Sequence, residues 1–375
     1  NNWDDNNNNI DYPFEFGACL LTKDDKIKIP EWLAYHYTVL PLRHLIVAID
    51  PLSLTDPEPI FDRYQSMLNI TFEIWRNQSR YWKDGRFFSE KMKNFDPNNY
   101  TGEHAHTMHR QRQIKFYDRC LRRFKWRHRA AVDKVEWVAL IDTDEFLVYN
   151  TVCDTCKYFN ETIYRSVPKS MGMQHETIAH ILTNNNTKEK NALCLPMKRV
   201  TVNCQEGSGG GAVQQLQPDG LDVKYFNTIQ FNELGKYSSG NPIAGKSMIN
   251  LAKYNGRGRE RVMNPHWPFP KICELLANDY KSLRVQHYSG TLESHLLRHG
   301  GNIGKWLYRN NITGPLSVDT LLMSTWLNNF VKIVGGIDNA FKLTEDIIRS
   351  AEKESIDLKF RMKDGNESIR PIYEW

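Results

Sequence analysis

No stretch of this sequence is apolar over the roughly 18 residues that a helix needs to cross a bilayer. The strongest apolar run, residues 40–49, is interrupted by Arg43 and His44. An initiator methionine is also absent, and the chain begins in a run of asparagine and aspartate around Trp3. We therefore expect residues 1–15 to be a flexible stem remnant, and any membrane attachment to come only from a removed N-terminal anchor.

A strong charge of one sign and internal repeats are lacking as well. The net charge is +5 over 375 residues, with 25% charged and 40% apolar residues. This composition is that of a globular protein, long enough to bury one large core or two modest ones. The mild positive charge fits an anionic small ligand such as a nucleotide, and it does not require nucleic acid.

Cysteine is sparse, and its count of seven is odd. At least one thiol is therefore unpaired, and Cys19, within an apolar run, is our candidate for a buried free thiol. Cys153 and Cys156 form a CxxC motif, which we interpret as a local disulfide because two further zinc ligands cannot be placed. Cys194 and Cys204 are close enough in sequence to bridge adjacent elements.

Matches to the glycosylation pattern Asn-x-Ser/Thr are in excess. They begin at Asn69, Asn77, Asn99, Asn160, Asn185, Asn311 and Asn366. Chance would give roughly three in a chain with this Asn, Ser and Thr content. We therefore expect the protein in the lumen of the Golgi or endoplasmic reticulum, as a type II membrane protein in full length, or secreted.

The first 50 residues predict the opening of an α/β nucleotide-binding unit. Residues 16–22 read as a buried strand that ends in the polar turn Lys23-Asp24-Asp25, and residues 29–39 read as a helix. A second apolar run, residues 44–49, ends at Asp50. Ligands collect at the carboxyl ends of strands in such sheets, so this turn and Asp50 are expected to border a ligand.

The later segments are predicted as follows: helix at 60–80, loop at 84–106, basic helix at 109–130, strands at 135–141 and 146–148, a glycine-rich loop at 205–222 and a helical tail from 338 to 360. Within the basic helix, Ile114, Tyr117, Leu121 and Phe124 form one apolar face. We interpret its arginines as a solvated face and keep RNA binding as an alternative.

Asp142-Thr143-Asp144 follows the apolar strand at 135–141. Carboxylates at i and i+2 on an extended chain point to the same side. Two such hard oxygen ligands suit Mn²⁺ or Mg²⁺, with a nucleotide diphosphate and water completing the coordination. The metal would neutralise charge on the leaving diphosphate. The alternative is a solvated acidic turn that binds no ligand.

An ordered set of motifs resembles the GT-A-fold glycosyltransferases of family 92, the DUF23 group, and their family-2-like relatives. The matching segments are FGACLLTKDD at 16–25, Glu31 to His36, LIVAIDPLSLTD at 45–56, RQIKFYDRCL at 112–121, WVALIDTDEFLV at 137–148, Lys246 to Ile249, His266 and His287-Tyr288. They span about three quarters of the chain. Lys23-Asp24-Asp25 departs from the usual Lys-Asn-Glu, and the glycine-rich 205–222 segment replaces a more regular stretch.

The resemblance implies a UDP-sugar as donor and a glycan as acceptor. Thr22, Lys23, Asp25 and Asp50 would then surround the uridine and ribose, and Lys246 would meet a donor phosphate. Asp142 and Asp144 would hold the metal, Glu145 would lie behind them or contact the donor sugar, and a late histidine would be a further ligand, His287 first and His266 second. Galactose as the sugar, and inversion at its anomeric carbon, are likewise what the resemblance implies.

Inverting transfer requires a carboxylate that deprotonates the acceptor hydroxyl. Glu233, Glu206 and Asp222 are the candidates, because all three lie between the acidic motif and Lys246. Glu233, beside an apolar stretch, is the first choice.

His104, His106 and His109 have a spacing that could bind zinc, contact the nucleotide or simply be solvated.

These patterns together predict an α/β protein with a GT-A-like, Rossmann-like, mixed and mainly parallel sheet flanked by helices. Residues 16–335 would form a single catalytic domain, and residues 336–375 a helical tail packed on it. The function we expect is a hexosyltransferase of EC class 2.4. The alternatives are an inactive carbohydrate-binding protein on the same fold and a metal-dependent phosphodiesterase or nucleotidyltransferase. The oligomeric state is left open.

Overall fold

The computed structural model describes residues 15–40, 42–51, 53, 55–82, 102–132, 134–149, 178, 182, 191–203, 218–230, 233–234, 245–257, 260–266, 268–269, 273, 283–288 and 320–363. Nine strands of these ranges form one sheet: β1 (Glu15–Thr22), β2 (Leu42–Ile49), β3 (Thr71–Trp75), β4 (Val135–Leu140), β5 (Glu145–Tyr149), β6 (Cys194–Asn203), β7 (Glu233–Leu234), β8 (Lys246–Asn250) and β9 (Leu283–Tyr288).

The sheet is mixed, and one end of it is entirely parallel. Its order is β3-β2-β1-β4-β8-β6-β9-β5, with β7 paired to β6. β1 pairs in parallel with β2 and β4, and β2 with β3. β8 is antiparallel to both β4 and β6. The predicted mixed, mainly parallel α/β sheet is therefore confirmed.

Helices pack on both faces of the sheet. In the described ranges they are α1 (Ile29–Val39), α2 (Glu58–Met67), α3 (Gly102–Arg129), α4 (Asn227–Gln230), α5 (Thr320–Ile333), α6 (Ile337–Leu343) and α7 (Glu345–Lys363). Alternate residues of β1 divide between two hydrophobic clusters: Ala18 and Leu20 face the α1 side, whereas Cys19 and Leu21 face the α3 side. This alternation follows from the two-residue period of a strand, and it explains why β1 is apolar throughout.

A disulfide joins Cys19 of β1 to Cys120 of α3. The sequence interpretation of Cys19 as a free thiol is therefore wrong. A long helix laid across the sheet brings a cysteine 101 positions away against the strand, and sequence spacing gives no sign of that contact.

Cys194 of β6 is bonded to Cys273, so the proposed Cys194–Cys204 bridge is wrong too. Strand β6 continues to Asn203. Cys153, Cys156 and Cys204 lie outside the described residues. The two disulfides are compatible with an oxidising compartment.

The predicted helix over residues 60–80 is only partly correct. Helix α2 ends at Met67, and β3 then runs in parallel beside β2. Asn77 caps a short 3₁₀ helix, Gln78–Arg80. The predicted helix at 109–130 is confirmed, and it begins earlier, at Gly102, within the segment predicted as loop. The glycine-rich stretch lies outside the described residues up to position 217.

The helical tail packs on the core. Ala340, Leu343 and Ile347 belong to the same buried cluster as Phe16. Where the structure describes the chain, no helix is both long and apolar enough to span a membrane. The stem at 1–15 falls almost entirely outside the described residues, and the domain boundary at 335 stays a prediction.

Candidate functional site

The carboxyl ends of β1, β2 and β4 lie along one edge of the sheet. Between β1 and β4 the order in which the chain adds strands to the sheet changes direction. From β1 the chain adds β2 and β3 on one side and then returns to add β4 on the other. The crevice beyond such a reversal is where α/β sheets bind ligands. The turns at Lys23–Asp25 and Asp142–Glu145 flank this reversal.

Lys28, at the start of α1, connects these two turns. Its Nζ lies 3.0 Å from Asp144 Oδ2 and 3.6 Å from Asp25 Oδ1. The three side chains are mostly buried, with 17–18% of each exposed. The crevice therefore holds an ammonium between two carboxylates that come from different strand ends.

Asp142 and Asp144 lie in a turn rather than on the strand, because β4 ends at Leu140. The Glu145 N–H donates to the Asp142 carbonyl at 3.1 Å. Strand alternation, which the sequence argument assumed, therefore does not set the directions of the two carboxylates. Each has its own partners.

The Asp142 carboxylate is held from two sides. Its Oδ1 accepts hydrogen bonds from Gln113 Nε2 at 2.6 Å and Tyr117 Oη at 3.2 Å. Its Oδ2 accepts one from Lys246 Nζ at 2.6 Å. Burial acts to raise the pKa of Asp142, but the charge of Lys246, its hydrogen bond and the charge of His266 together act in the opposite direction, and the pKa is lowered on balance. Asp142 is thus ionised and fixed by the protein itself.

Lys246 and Glu145 form a completely buried ion pair, with 3.1 Å between Nζ and Oε2. Glu145 Oε2 also accepts the Asp142 N–H at 2.9 Å. Burial raises the pKa of Glu145 to about 7 in spite of Lys246. One ammonium therefore contacts the carboxyl groups of both Asp142 and Glu145. The predicted contact between Lys246 and a donor phosphate remains a prediction.

Helix α1 fixes the strand that follows the acidic turn. Trp32 Nε1 donates to the Glu145 carbonyl at 3.1 Å, and Tyr35 Oη to the Leu147 carbonyl at 2.9 Å. His36 accepts the Leu147 N–H at Nε2, while its Nδ1 faces the Trp32 carbonyl. Burial lowers the pKa of His36 to about 3, so the ring is neutral and serves as a structural acceptor.

His287 lies beside Asp144 because β9 pairs with β5 and places His287 opposite Glu145. Its Nε2 is 3.7 Å from Asp144 Oδ1. His266 is near Asp142 and Lys246, and burial followed by the Lys246 charge lowers its pKa to about 3. Its buried Nδ1 has no hydrogen-bond partner within the described ranges. Both predicted histidines are thus brought to the acidic turn.

The Asp144–His287 pair fits a divalent cation. Ligand bonds of roughly 2.1 Å place two ligands of one cation about 3–4 Å apart, which matches the 3.7 Å gap. The donor set of carboxylate oxygen and imidazole nitrogen suits Mn²⁺. Among the residues that the structure describes, no group of three or more His, Cys, Asp or Glu side chains could hold a metal. Further ligands would have to come from the substrate and water.

Asp50, at the end of β2, is completely buried against α3. Its Oδ2 accepts from Arg112 Nε and faces His109 Nδ1, both at 2.9 Å. Its backbone N–H donates to the Thr22 carbonyl at 2.9 Å. Burial lowers the pKa of the neighbouring Lys23 to about 8, and the charges of Asp24 and Asp50 oppose that effect. Asp50 therefore organises the end of β1 and the first half of α3.

Three buried polar atoms around Asp50 lack a hydrogen-bond partner in the described part of the chain. They are Thr22 Oγ1, Tyr81 Oη and Arg112 Nη2. Burial, followed by the Asp50 charge, raises the pKa of Tyr81, so its hydroxyl keeps its proton. Buried polar groups normally have hydrogen-bond partners, so a polar ligand or ordered water would provide the partners that these three atoms lack.

Of the three predicted catalytic bases, only Asp222 has a side chain in the described part of the structure. Asp222 accepts from Lys224 N at 3.1 Å, pairs with Lys224 Nζ at 2.7 Å, and donates its N–H to Glu345 Oε2. Glu233 begins β7, but its side chain lies outside the described part of the structure, as does all of Glu206. The side chains of His104 and His106 are also outside it, so a zinc site with His109 remains untested.

Sequence reasoning missed the contribution of α3. Gln113 and Tyr117 are four residues apart and therefore share one helix face, from which both reach Asp142. The stripe that includes Tyr117 was interpreted as core alone, and Arg112 as part of a solvated face. A glutamine and an arginine immediately beside that stripe were the available signal. Lys28 was missed because nothing local connects it with Asp144.

No known protein family model matches this chain, and no curated protein matches it. A search of solved structures finds similarity to one named "Crystal Structure of a Mycobacterial Protein", at 11% sequence identity and a TM-score of 0.31. The match covers 80% of this chain and 76% of the other. A score of this size supports no conclusion about fold or function.

Proposed function

We propose that this chain is a metal-dependent GT-A-type glycosyltransferase that moves a hexose, galactose in our proposal, from a UDP-sugar to a glycan hydroxyl with inversion. One observation carries the proposal. The acidic turn and the lysine that pairs with it lie between β1 and β4, where the order in which strands are added to the sheet changes direction. That crevice is the usual ligand site of an α/β sheet. Such an enzyme would act in the Golgi or endoplasmic reticulum lumen.

The nucleoside would occupy the end nearest Asp50. Uracil and ribose carry carbonyl and hydroxyl groups, which need partners once they are removed from water. Tyr81 Oη and Arg112 Nη2 are buried donors without a partner in the described ranges, and Thr22 Oγ1 can donate or accept. These groups support a polar ligand at this end of the crevice.

The diphosphate end would lie at Asp144. Asp144 and His287 would hold the divalent cation, which when bound neutralises charge on the departing diphosphate. Lys28 balances Asp144 from the β1 side. Gln113, Tyr117 and Lys246 already donate hydrogen bonds to Asp142. Asp142 would therefore orient the acidic turn through these hydrogen bonds, rather than bind the metal through both of its oxygens.

The acceptor base would be a carboxylate beyond the donor. Asp222 is paired with Lys224 in a helix cap, which weakens its candidacy. Glu233 remains the first choice and Glu206 the second.

Asp144→Asn is expected to reduce turnover of the preferred UDP-sugar at least about a hundredfold, because loss of a metal ligand removes several kcal/mol of charge stabilisation. The measurement is release of free UDP from a panel of nucleotide sugars with Mn²⁺, with and without EDTA. Asp62→Asn, on the exposed side of α2, is the matched control and should keep the parent rate.

Other products would replace the proposal. A nucleotidyl product in the mass spectrum would identify a nucleotidyltransferase or phosphodiesterase. Saturable sugar binding without any turnover would identify a carbohydrate-binding protein. Equal activity of Asp144→Asn and the parent would remove the metal role of Asp144.

Tyr81→Phe is expected to raise the KM for the UDP-sugar about fivefold with little change in kcat, because one neutral hydrogen bond to the ligand contributes about 1 kcal/mol. Steady-state kinetics on the preferred donor measure the effect. Tyr37→Phe, whose ring lies under Arg43 at the far end of α1, is the control. An unchanged KM would mean that the Tyr81 hydroxyl contacts water alone.

A further inference from the structure

Two glycosylation sequons lie at opposite ends of β3, the strand at one edge of the sheet. Asn69-Ile70-Thr71 runs from the turn after α2 into the first residue of β3, and Asn77-Gln78-Ser79 lies just after β3. β3 is the outermost strand at its end of the described sheet order. Five residues at roughly 3.3 Å each give a strand about 17 Å long, so the two asparagines lie at opposite ends of a short edge.

The first sequon is displayed outward by a tight turn. The Ile70 N–H donates to the Leu68 carbonyl at 2.9 Å, which makes Asn69 the middle residue of a three-residue turn. Ile70 is 3% exposed and anchors the turn in the core. Asn69 and Thr71 are both exposed. The asparagine and the hydroxyl residue are therefore accessible together, and the residue between them is not.

The second sequon is displayed by a helix cap. The Asn77 side-chain oxygen Oδ1 accepts the Ser79 N–H at 2.8 Å. Because Oδ1 makes this bond, the amide nitrogen Nδ2 is on the opposite branch of the side chain. Asn77 and Ser79 are exposed. A substituent on Nδ2 can extend into solvent while the cap stays intact.

The two disulfides are compatible with a compartment in which such a modification occurs. Cys19–Cys120 and Cys194–Cys273 join residues 101 and 79 positions apart. Disulfides of this kind persist in oxidising compartments, among them the endoplasmic reticulum, where Asn-x-Ser/Thr is the acceptor sequence.

We infer that Asn69 and Asn77 carry N-linked glycans that cover the β3 edge of the sheet. In the transfer, Nδ2 attacks C1 of a lipid-diphosphate-linked oligosaccharide. The bond between C1 and the diphosphate oxygen breaks, the lipid diphosphate leaves with the electron pair, and Nδ2 loses one proton. The inference is independent of the proposed enzymatic activity.

Glycans at these positions have a physical consequence. An outermost strand presents backbone N–H and C=O groups that can pair with another chain, and proteins protect such edges. β3 already carries a charge at its centre, Glu73, which pairs with Arg123 Nε at 2.9 Å. Bulky, hydrated chains at both ends of the strand add a steric barrier to edge-to-edge pairing.

The test is site-resolved peptide mapping of the full chain secreted from eukaryotic cells. Glycosidase release in heavy-oxygen water marks each occupied asparagine as labelled aspartate. Asn69→Gln and Thr71→Val should each remove the label at 69, and Asn77→Asp and Ser79→Ala should each remove it at 77. Asn77→Asp retains the helix cap, because an aspartate oxygen also accepts the Ser79 N–H. Thr71→Ser and Ser79→Thr preserve the sequons and should preserve occupancy.

An unlabelled Asn69 or Asn77 in secreted parent protein would overturn the inference at that site. Light scattering on heating tests the shielding separately. The doubly unglycosylated Thr71→Val/Ser79→Ala protein should aggregate at a lower temperature than the Thr71→Ser/Ser79→Thr control. Equal aggregation with both sites occupied in the control would overturn the shielding and leave the modification standing.

Discussion

Replacing Lys246 by methionine is expected to lower the free energy of unfolding by about 3–5 kcal/mol, the usual cost of removing one partner from a buried ion pair. Methionine has a similar length, so the change removes charge more than volume. Lys246 is completely buried with its ammonium 2.6 Å from Asp142 and 3.1 Å from Glu145. Its loss leaves two carboxylates near each other without their shared cation.

The loss should depend on pH in a defined direction. Burial raises the pKa of Glu145 from 4.5 to about 7 even with Lys246 present. An acid whose folded-state pKa is raised binds more protons folded than unfolded, so stability falls as pH rises through that interval. Without the ammonium, the pKa of Glu145 rises further. The destabilisation should therefore be smallest near pH 5 and largest at pH 8.

Urea unfolding of parent and variant at these two pH values, in EDTA, measures the effect. Lys253→Met, an exposed lysine just beyond β8, is the matched control and should change stability little. The prediction fails if Lys246→Met costs no more than Lys253→Met, or if its cost is the same at both pH values.

Loss of the Cys19–Cys120 disulfide is the second large effect. In a Cys19→Ala/Cys120→Ala variant, we expect the free energy of unfolding to be about 4–5 kcal/mol lower, which is the chain-entropy value for a loop of about 100 residues. The separation of these cysteines is 101 positions. The bond also fixes α3 on β1, and α3 carries Arg112, Gln113 and Tyr117. Donor KM should therefore rise along with the loss of stability.

A double alanine variant at Cys194 and Cys273 is the comparison, because that loop of 79 positions predicts a similar stability loss of about 4.5 kcal/mol. Neither cysteine of this second bond lies on α3, so its removal should affect donor KM less. Urea unfolding measures the stability loss of each variant, and steady-state kinetics measure its KM for the donor. Equal changes in KM would show that the first disulfide acts on stability alone.

How far the sequence determined the fold depends on the range of each signal. The β1–α1–β2 unit was predicted to within two residues at each boundary, because apolar runs, Pro30 and the polar turn are local features. Strand β4 and the acidic turn after it were located for the same reason. The short β3 was hidden in a predicted helix, since five residues carry little periodicity and the pairing of β3 with β2 is a tertiary contact.

For the candidate site, the sequence pattern predicted the acids that follow strands, Asp50, Asp142 and Asp144, and the resemblance implied His266 and His287. Only the tertiary structure decided their partners. It placed Gln113 and Tyr117 on Asp142, Arg112 on Asp50, Lys28 on Asp144, and Lys246 between two carboxylates. It likewise paired Cys19 with Cys120. The reason is physical: strand ends follow from local patterning, whereas the pairing of buried charges and thiols depends on which distant elements the packed sheet brings within a few ångströms of each other.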